Sequence, residues 1–170
     1  MIGVINASPL IFLGKLGTLK LVPQLFDQIF TTTIVKQEVL RYEHAPEQLV
    51  LEEAFESWLE IADPQNNFLM KKLQGLQIHQ GEASILTLAK ELITERKDAI
   101  EIIDDLAARE VVRTLGITVT GTIGILLRGM QTGLITKNDC KHFLKKINEE
   151  TDFRMSIKVY SRLLTELEEI

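Results

Sequence analysis

Residues 99–124 read AIEIIDDLAAREVVRTLGITVTGTIG and contain two rounds of the same alternation between short apolar runs and helical segments. The spacing predicts, in order, a strand at Ala99–Ile103, a helix at Asp104–Leu115, a strand at Ile117–Thr120 and a helix at Thr122–Met130 that Gly133 closes. Strands that alternate with helices at this spacing indicate a mostly parallel sheet with helices on both faces. We therefore predict an α/β fold with a central, mostly parallel sheet.

The chain before residue 99 continues the alternation. It predicts a strand at Gly3–Ile5, a helix at Leu10–Leu16 that starts from Ser8-Pro9, helical residues at Leu19–Phe26, a strand at Asp27–Thr32 and a helix from Thr33 to Tyr42. Apolar residues at helical spacing then predict one helix from Pro46 to Ala62 and another after Gly81.

The last third of the chain predicts helices at Lys137–Glu149 and Ile157–Glu168, on either side of an extended Phe153–Ser156. No linker or internal repeat separates this part from the rest. We expect residues 1–170 to form a single domain, with about 137–170 as its helical C-terminal extension.

Composition excludes several classes of protein. The chain has 170 residues, of which 45% are hydrophobic and 25% charged, and this length and composition suit one globular domain. A net charge of −5 argues against binding nucleic acid through bulk charge, although a local basic patch is compatible with it. Cys140 is the single cysteine, which excludes an intrachain disulfide, and we expect a buried thiol. Because signal-peptide features and an apolar run of roughly 20 residues are missing, we expect a cytoplasmic protein.

Polar residues follow three of the predicted strands at the point where each strand ends. Asn6 follows the first strand, Asp104 and Asp105 follow the strand at 99–103, and Thr120 ends the next one. In an open parallel sheet, ligands bind beyond the carboxyl ends of the strands, so these residues are expected along one edge. Asp104 is equally well explained as the N-cap of the following helix.

Glu38 and Glu82 lie in register with the apolar positions of their predicted helices. A carboxylate that faces a core is costly unless it is paired or binds a cation. Each glutamate alone is best explained as an acid at the edge of the core, paired with an arginine. Several inward acids without a matching set of inward bases favour a hard divalent cation with oxygen ligands. Mg²⁺ or Mn²⁺ at such a site suits phosphodiester hydrolysis.

Other residues leave alternatives open. The turn Thr120–Gly124 could hold a phosphate on backbone N–H groups, or it is simply a tight strand-to-helix turn. A path for RNA phosphates could be lined by Lys15, Lys36, Arg109, Arg113 and Arg128. Arg109 could instead pair with Asp105, four residues earlier on one helix. Phe55 and Trp58 share one side of a helix, which favours packing over base stacking.

Taken together, several strings of the sequence resemble the PIN-domain family, and specifically a VapC-related branch of prokaryotic PIN-like proteins. They are Val4–Ile11 (VINASPLI), Gly81–Ala83 (GEA), Ile103–Arg109 (IDDLAAR), Leu115–Ile117 (LGI), Thr120–Leu126 (TGTIGIL) and Phe153–Ser156 (FRMS). The resemblance covers nearly the whole chain. It implies a three-layer α/β/α fold and a ribonuclease that depends on Mg²⁺ or Mn²⁺.

The resemblance also implies roles for individual residues. The metal-binding and catalytic positions match Asn6, Glu38, Glu82, Asp105 and Asp104, and substrate contacts are expected from Ser8, Thr120, Thr122 and Arg109. The implied partners are RNA, a second copy of the chain in a homodimer, and an antitoxin protein that the toxin-like branch would bind.

Asn6 departs from the family pattern, which has an acid at the end of the first strand. An amide still offers a carbonyl oxygen to a metal, but it removes one negative charge from the site. An alternative interpretation is therefore a PIN-like module that has weak or no catalytic activity and binds RNA or a protein. A third possibility is a nucleotide-binding protein that uses the Thr120–Gly124 turn.

Overall fold

A five-stranded parallel sheet forms the centre of the computed structural model, which describes residues 1–169. The strands are Ile2–Ile5 (β1), Gln28–Thr31 (β2), Leu59–Ile61 (β3), Ala99–Ile102 (β4) and Thr118–Thr120 (β5), in the order β3-β2-β1-β4-β5. Each neighbouring pair is parallel. The predicted α/β fold is confirmed, and the sheet within the described part is parallel throughout.

Helices connect the strands and extend the chain after β5. They are Ala7–Leu16 (α1), Val22–Leu25 (α2, preceded by a 3₁₀ turn at Leu19–Leu21), Thr33–Val39 (α3), Gln48–Ser57 (α4), Asn67–Gly75 (α5), Gln80–Thr94 (α6), Leu106–Thr114 (α7), Thr122–Gln131 (α8), Lys137–Glu150 (α9) and Ile157–Glu169 (α10). Because parallel crossovers are right-handed, connections that run in opposite directions along the sheet cover opposite faces, which produces three layers. Among residues 1–169, no helix has the length and apolar character needed to cross a membrane.

The order of the strands creates a switch point between β1 and β4. From β1 the chain builds outward through β2 to β3, then returns to the other side of β1 to form β4 and β5. The carboxyl ends of β1 and β4 are therefore neighbours, with Ile5 opposite Ile102. Such switch points form crevices in which open parallel sheets bind ligands. Asn6 and the pair Asp104–Asp105 follow the two strands at this crevice.

Apolar side chains from both sides of the sheet form one continuous core. Ile5, Leu10, Ile85, Ile102 and Leu126 are among the largest fully buried side chains, and burying a side chain of this size contributes about 1.5–3 kcal/mol. The C-terminal helix α9 joins this core through Cys140, Leu144 and Ile147, and it packs against α1 and α8. The predicted burial of Cys140 is confirmed.

The prediction of one helix from Pro46 to Ala62 is wrong. Helix α4 covers Gln48–Ser57, and Leu59–Ile61 is the edge strand β3, whose pairing with β2 continues to Ala62. The Ala62 N–H donates to the Thr31 carbonyl at 2.9 Å. Leu59 fits the apolar spacing of the helix before it, so the local pattern predicts a longer helix and not a strand here. Helix α5 was also missed by the sequence pattern.

The predicted starts of three helices differ from the observed ones. Helix α1 begins at Ala7 with Asn6 at its N-cap, so Ser8-Pro9 lies inside its first turn. Thr32, not Thr33, caps α3, and this helix ends at Val39, short of Tyr42. Asp104 does not cap α7, since that helix begins at Leu106 and Asp105 is its N-cap.

Candidate functional site

Asn6 has an unusual environment for an asparagine at the start of a helix. Its backbone is extended, and its N–H continues the sheet by donating to the Ile102 carbonyl at 3.0 Å. An asparagine at the N-cap normally accepts a hydrogen bond from the first turn, yet this side chain makes no such bond. Its Oδ1 atom is buried and has no hydrogen-bond partner within residues 1–169. A buried carbonyl oxygen of this kind is available to a ligand.

Glu38 and Glu82 are brought together by the packing of α3 against α6. The Thr32 hydroxyl, which caps α3, is 2.8 Å from the Ser84 hydroxyl in α6, and this contact fixes the two helix starts. A Cβ built on Gly81 would lie 3.0 Å from the Glu38 Oε2 atom. Glycine therefore lets the Glu38 carboxylate approach the backbone beside Glu82. Glu38 is more exposed than its apolar register predicted.

The acids at this edge repel one another. Burial raises the pKa of Glu82 above its ordinary value, and the nearby charges of Asp105 and Glu38 raise it further. Partial burial also raises the pKa of Glu38, while His79 opposes the change. Mutual repulsion of this kind indicates carboxylates gathered without enough positive charge to neutralise them. We refer to Asn6, Glu38, Glu82 and Asp105 as the switch-point cluster.

Asp104 and Asp105 have different partners although they are adjacent. The Asp105 Oδ1 atom accepts from the Ala108 N–H at 2.7 Å as the N-cap of α7, which leaves Oδ2 without a hydrogen bond among the described residues. Asp104 turns toward α8 instead, where Oδ1 accepts from the Thr122 N–H at 2.8 Å and Oδ2 from the Thr122 hydroxyl at 2.6 Å. Asp105 faces the switch-point cluster, whereas both oxygens of Asp104 are already bonded.

The N-terminus of α8 is therefore occupied by a carboxylate of the chain itself. A Cβ on Gly121 would lie 2.6 Å from the Asp104 Oδ1 atom, so only glycine permits this close approach. Burial raises the pKa of Asp104, whereas its bonds to Thr122 and the charge of Arg109 oppose the rise. An anion binds at a helix N-terminus through free N–H groups, and here Asp104 takes the Thr122 N–H. This geometry disfavours the phosphate-holding interpretation of the Thr120–Gly124 turn.

Glu101 is a candidate residue that sequence reasoning missed. It lies in the middle of β4 opposite Val4, is 0% exposed, and has no hydrogen-bond partner for either carboxylate oxygen within residues 1–169. Burial raises its pKa to about 8, and the neighbouring Glu82 adds to the rise. The signal was present in the sequence, because a glutamate interrupts the apolar run of a strand that is expected to be buried on both faces.

The oxygen donors at the switch point fit a hard divalent cation by their chemistry. Carboxylates and an amide carbonyl are typical ligands of Mg²⁺ and Mn²⁺, and Asn6 Oδ1 is buried without a partner. Among the side chains that the structure describes, no three His, Cys, Asp or Glu residues are placed closely enough to hold a metal ion. Side-chain rotation would have to complete such a site, and the predicted metal ligands stay a prediction.

A groove leads away from Asp104 between the start of α8 and the C-terminal segment. Its empty volume is about 980 Å³, and its walls include Arg109, Thr120, Phe153 and Arg154. Arg109 is predicted to contact substrate, and Arg154 adds a second positive charge to the groove. The Nε atom of Arg109 is buried without a hydrogen-bond partner in the described part of the chain. Ser8 is half-buried in the first turn of α1, two residues after Asn6.

The other basic residues considered for RNA contacts make local contacts. Lys36 lies over the Phe55 ring at 5.1 Å, and Arg128 lies over the Phe26 ring at 5.4 Å. Lys15 and Arg113 approach acids, Asp152 at 3.9 Å and Glu110 at 2.9 Å respectively. Phe55 and Trp58 pack against the core, as their shared helix side predicts.

A family model described as PIN domain matches residues 2–169 of the sequence. No curated protein matches it. The matched region contains the whole of the sheet and every member of the switch-point cluster. The family model therefore covers the fold and the candidate site together.

Proposed function

Because the chain belongs to the PIN-domain family, whose fold is that of nucleases, we propose that it is an endoribonuclease that requires Mg²⁺ or Mn²⁺. The observation that carries the proposal is the switch-point cluster. Burial and the charges of Asp105 and Glu38 raise the pKa of Glu82, and the buried Asn6 amide oxygen at the same switch point has no partner among the described residues. Such a set of donors is suited to a divalent cation more than to a substrate cation or an ion pair.

The residues of the site would have two roles, metal binding and positioning. Asn6 Oδ1, the free oxygen of Asp105 and the carboxylates of Glu38 and Glu82 would bind the metal. The bound ion supplies Lewis-acid chemistry, activating water and neutralising charge that grows on the phosphate. Asp104 acts as a positioning residue, since it ties the start of α8 to the end of β4 through Thr122.

The groove beside Asp104 is the proposed path for the RNA strand. Arg109 and Arg154 offer positive charge to phosphates, and Phe153 offers an aromatic surface. Ser8 and Thr120 would contribute hydroxyl groups near the reacting phosphate, whereas the predicted substrate contact Thr122 is buried and donates its hydroxyl to Asp104. A groove with a few local cations agrees with the net charge of −5, which argues against binding through bulk charge.

The deciding experiment compares RNA cleavage by the purified chain with cleavage by Glu82→Gln. Cleavage is followed on a gel with mixed RNA and Mn²⁺, and again with EDTA. Glu95→Gln is the matched control, because it makes the same change at the other end of α6, where Glu95 forms a salt bridge to Lys97 at 2.7 Å. We expect cleavage by the wild type and Glu95→Gln alone; equal cleavage by all three overturns the assignment.

A finer part of the proposal is that the enzyme is the toxin of a toxin–antitoxin pair, acts in the cytoplasm as a homodimer and is held inactive by an antitoxin. Its support is the VapC-like combination of motifs in the sequence. Growth arrest on induced expression, relieved by Glu82→Gln, tests toxicity, and sedimentation equilibrium tests the dimer. Normal growth with active protein present would remove the toxin part while leaving the nuclease part.

Asn6 favours a second candidate function, a PIN-like module that binds RNA or a protein without cutting it. The amide removes one charge from the cluster, which weakens metal binding. Calorimetric titration with Mn²⁺ separates the two functions. Tight binding and cleavage by the unmodified chain exclude the second candidate, whereas metal binding that appears only in Asn6→Asp supports it.

A further inference from the structure

Glu101 is a buried carboxyl group whose cost is not offset by any contact in residues 1–169. Its two oxygens have no hydrogen-bond partner, and it takes part in no salt bridge among the described residues. A buried polar group without a hydrogen-bond partner lowers the stability of the fold by a few kcal/mol, and a buried charge lowers it further. A leucine at this position would avoid that cost. The position therefore needs an explanation beyond packing.

Glu101 lies on the side of the sheet that leads to the switch-point cluster. It is opposite Val4 in β1, and Asn6 is two residues after Val4 along the same extended strand direction. Side chains two residues apart in a strand point to the same face, so Glu101 and Asn6 share a face. Two residues correspond to about 7 Å along the strand, much of which a glutamate side chain can span.

Two further observations connect Glu101 to the same point. Glu82, at the start of α6, is the charged residue that acts on Glu101. Asn6 Oδ1 and both Glu101 oxygens belong to the small group of buried polar atoms that lack partners among the described residues. Glu101 in β4 and Asn6, directly after the neighbouring strand β1, are therefore buried acceptors that lack a positively charged partner among the described residues.

We propose that Glu101 is an additional oxygen ligand of the metal site and supplies the carboxylate that asparagine at position 6 does not provide. The proposal rests on the metal site of the proposed function. It makes the charge of the site comparable to that of a site with an acid at position 6. The negative charge is then carried by Glu101 in β4 and not by a residue at the end of the adjacent strand β1.

Calorimetric titration of the full chain with Mn²⁺ tests this ligand directly, without any measurement of cleavage. We expect Glu101→Gln to weaken Mn²⁺ binding by at least about tenfold. Glu60→Gln, the same change at an exposed position of β3, should leave binding unchanged. In Asn6→Asp/Glu101→Gln, we expect the lost affinity to return, because the charge is restored at the other strand.

The structural alternative gives a different result. If Glu101 were only a buried acid, Glu101→Gln and Glu101→Leu would leave Mn²⁺ affinity unchanged, which would overturn the proposal. The melting temperature of metal-free Glu101→Leu should rise in either case, because the buried carboxyl group is removed. Two variants are used so that at least one folds, and circular dichroism checks this. Glu82→Gln separates the two levels of inference. Weaker binding in Glu82→Gln but not in Glu101→Gln rejects Glu101 alone, and no Mn²⁺ binding by the wild type rejects both.

Discussion

The carboxylate of Asp104 holds the first residue of α8, accepting from the Thr122 N–H at 2.8 Å and from the Thr122 hydroxyl at 2.6 Å. This pair of bonds joins the end of β4 to the start of the helix after β5. It also turns Asp104 away from the other acids, so its neighbour Asp105 is left to face Glu82. Adjacent aspartates thus perform separate tasks, one structural and one at the candidate site.

The Asp104–Thr122 contact predicts a loss of stability on mutation. Thr122→Val removes one hydrogen bond to a charged group and should lower the free energy of unfolding by about 1.5–3 kcal/mol, measured by urea denaturation. Thr122→Ser keeps the hydroxyl and is the control, with a smaller loss expected. Equal losses in the two variants would show that the hydroxyl bond does not contribute.

The close approach of Gly81 to Glu38 predicts a loss of metal affinity without a loss of stability when Gly81 is replaced. In Gly81→Ala the new Cβ would lie 3.0 Å from Glu38 Oε2, so the flexible carboxylate must move away. We expect Mn²⁺ affinity to fall by about tenfold, as for other disturbed ligand positions. The melting temperature should not fall, because alanine favours a helix over glycine. Gly75→Ala, where nothing lies within 4 Å, is the control and should leave affinity unchanged.

The amide at position 6 predicts a gain of metal affinity when the acid is introduced. Asn6→Asp adds a negative charge to the switch-point cluster, and a carboxylate attracts a divalent cation more strongly than an amide oxygen does. We expect Mn²⁺ binding to tighten by at least tenfold, or about 1.4 kcal/mol. The metal-free variant should melt at a lower temperature because the new negative charge repels the neighbouring acids. A variant that melts higher without metal and binds it no better would contradict this account of the cluster.

Glu101 predicts a stability that falls as pH rises. Its folded pKa is about 8 against 4.5 for the ordinary group, so between these values the folded chain keeps a proton that the unfolded chain releases. The contribution of this proton to the free energy of unfolding is fully present below about pH 4.5. It is lost as the pH rises toward 8, at roughly 1.4 kcal/mol for each pH unit. Denaturation of EDTA-treated protein from pH 5 to 8 measures the slope.

Glu101→Gln should flatten this dependence on pH. Glu38, Glu82 and Asp104, whose pKa values are also raised, leave a residual slope of the same sign. Asp27 and Asp139 have lowered pKa values and act below about 3.8, outside the window. Parallel slopes for the variant and the wild type would show that Glu101 does not keep its proton in the folded chain.

Much of the fold follows from local spacing. Apolar runs that alternate with helical periodicity are sufficient to predict β1, β2, β4 and β5, because each run is short and bounded by polar or turn residues. Edge strand β3 was not predicted, since Leu59 continues the apolar spacing of the helix before it and the strand is formed by pairing with β2. Pairing partners are distant in the chain and leave no periodic signal.

The candidate site divides in the same way. The sequence predicts which residues follow the strands and which glutamates lie in register with apolar helix positions, and these patterns identify Asn6, Glu38 and Glu82. The three-dimensional fold sets which aspartate faces the cluster, because that depends on which carboxylate reaches the Thr122 N–H, 17 or 18 residues away in the chain. It also decided that Glu101 is buried without a partner among the described residues. Burial and hydrogen-bond partners are set by long-range packing, which a local sequence pattern does not contain.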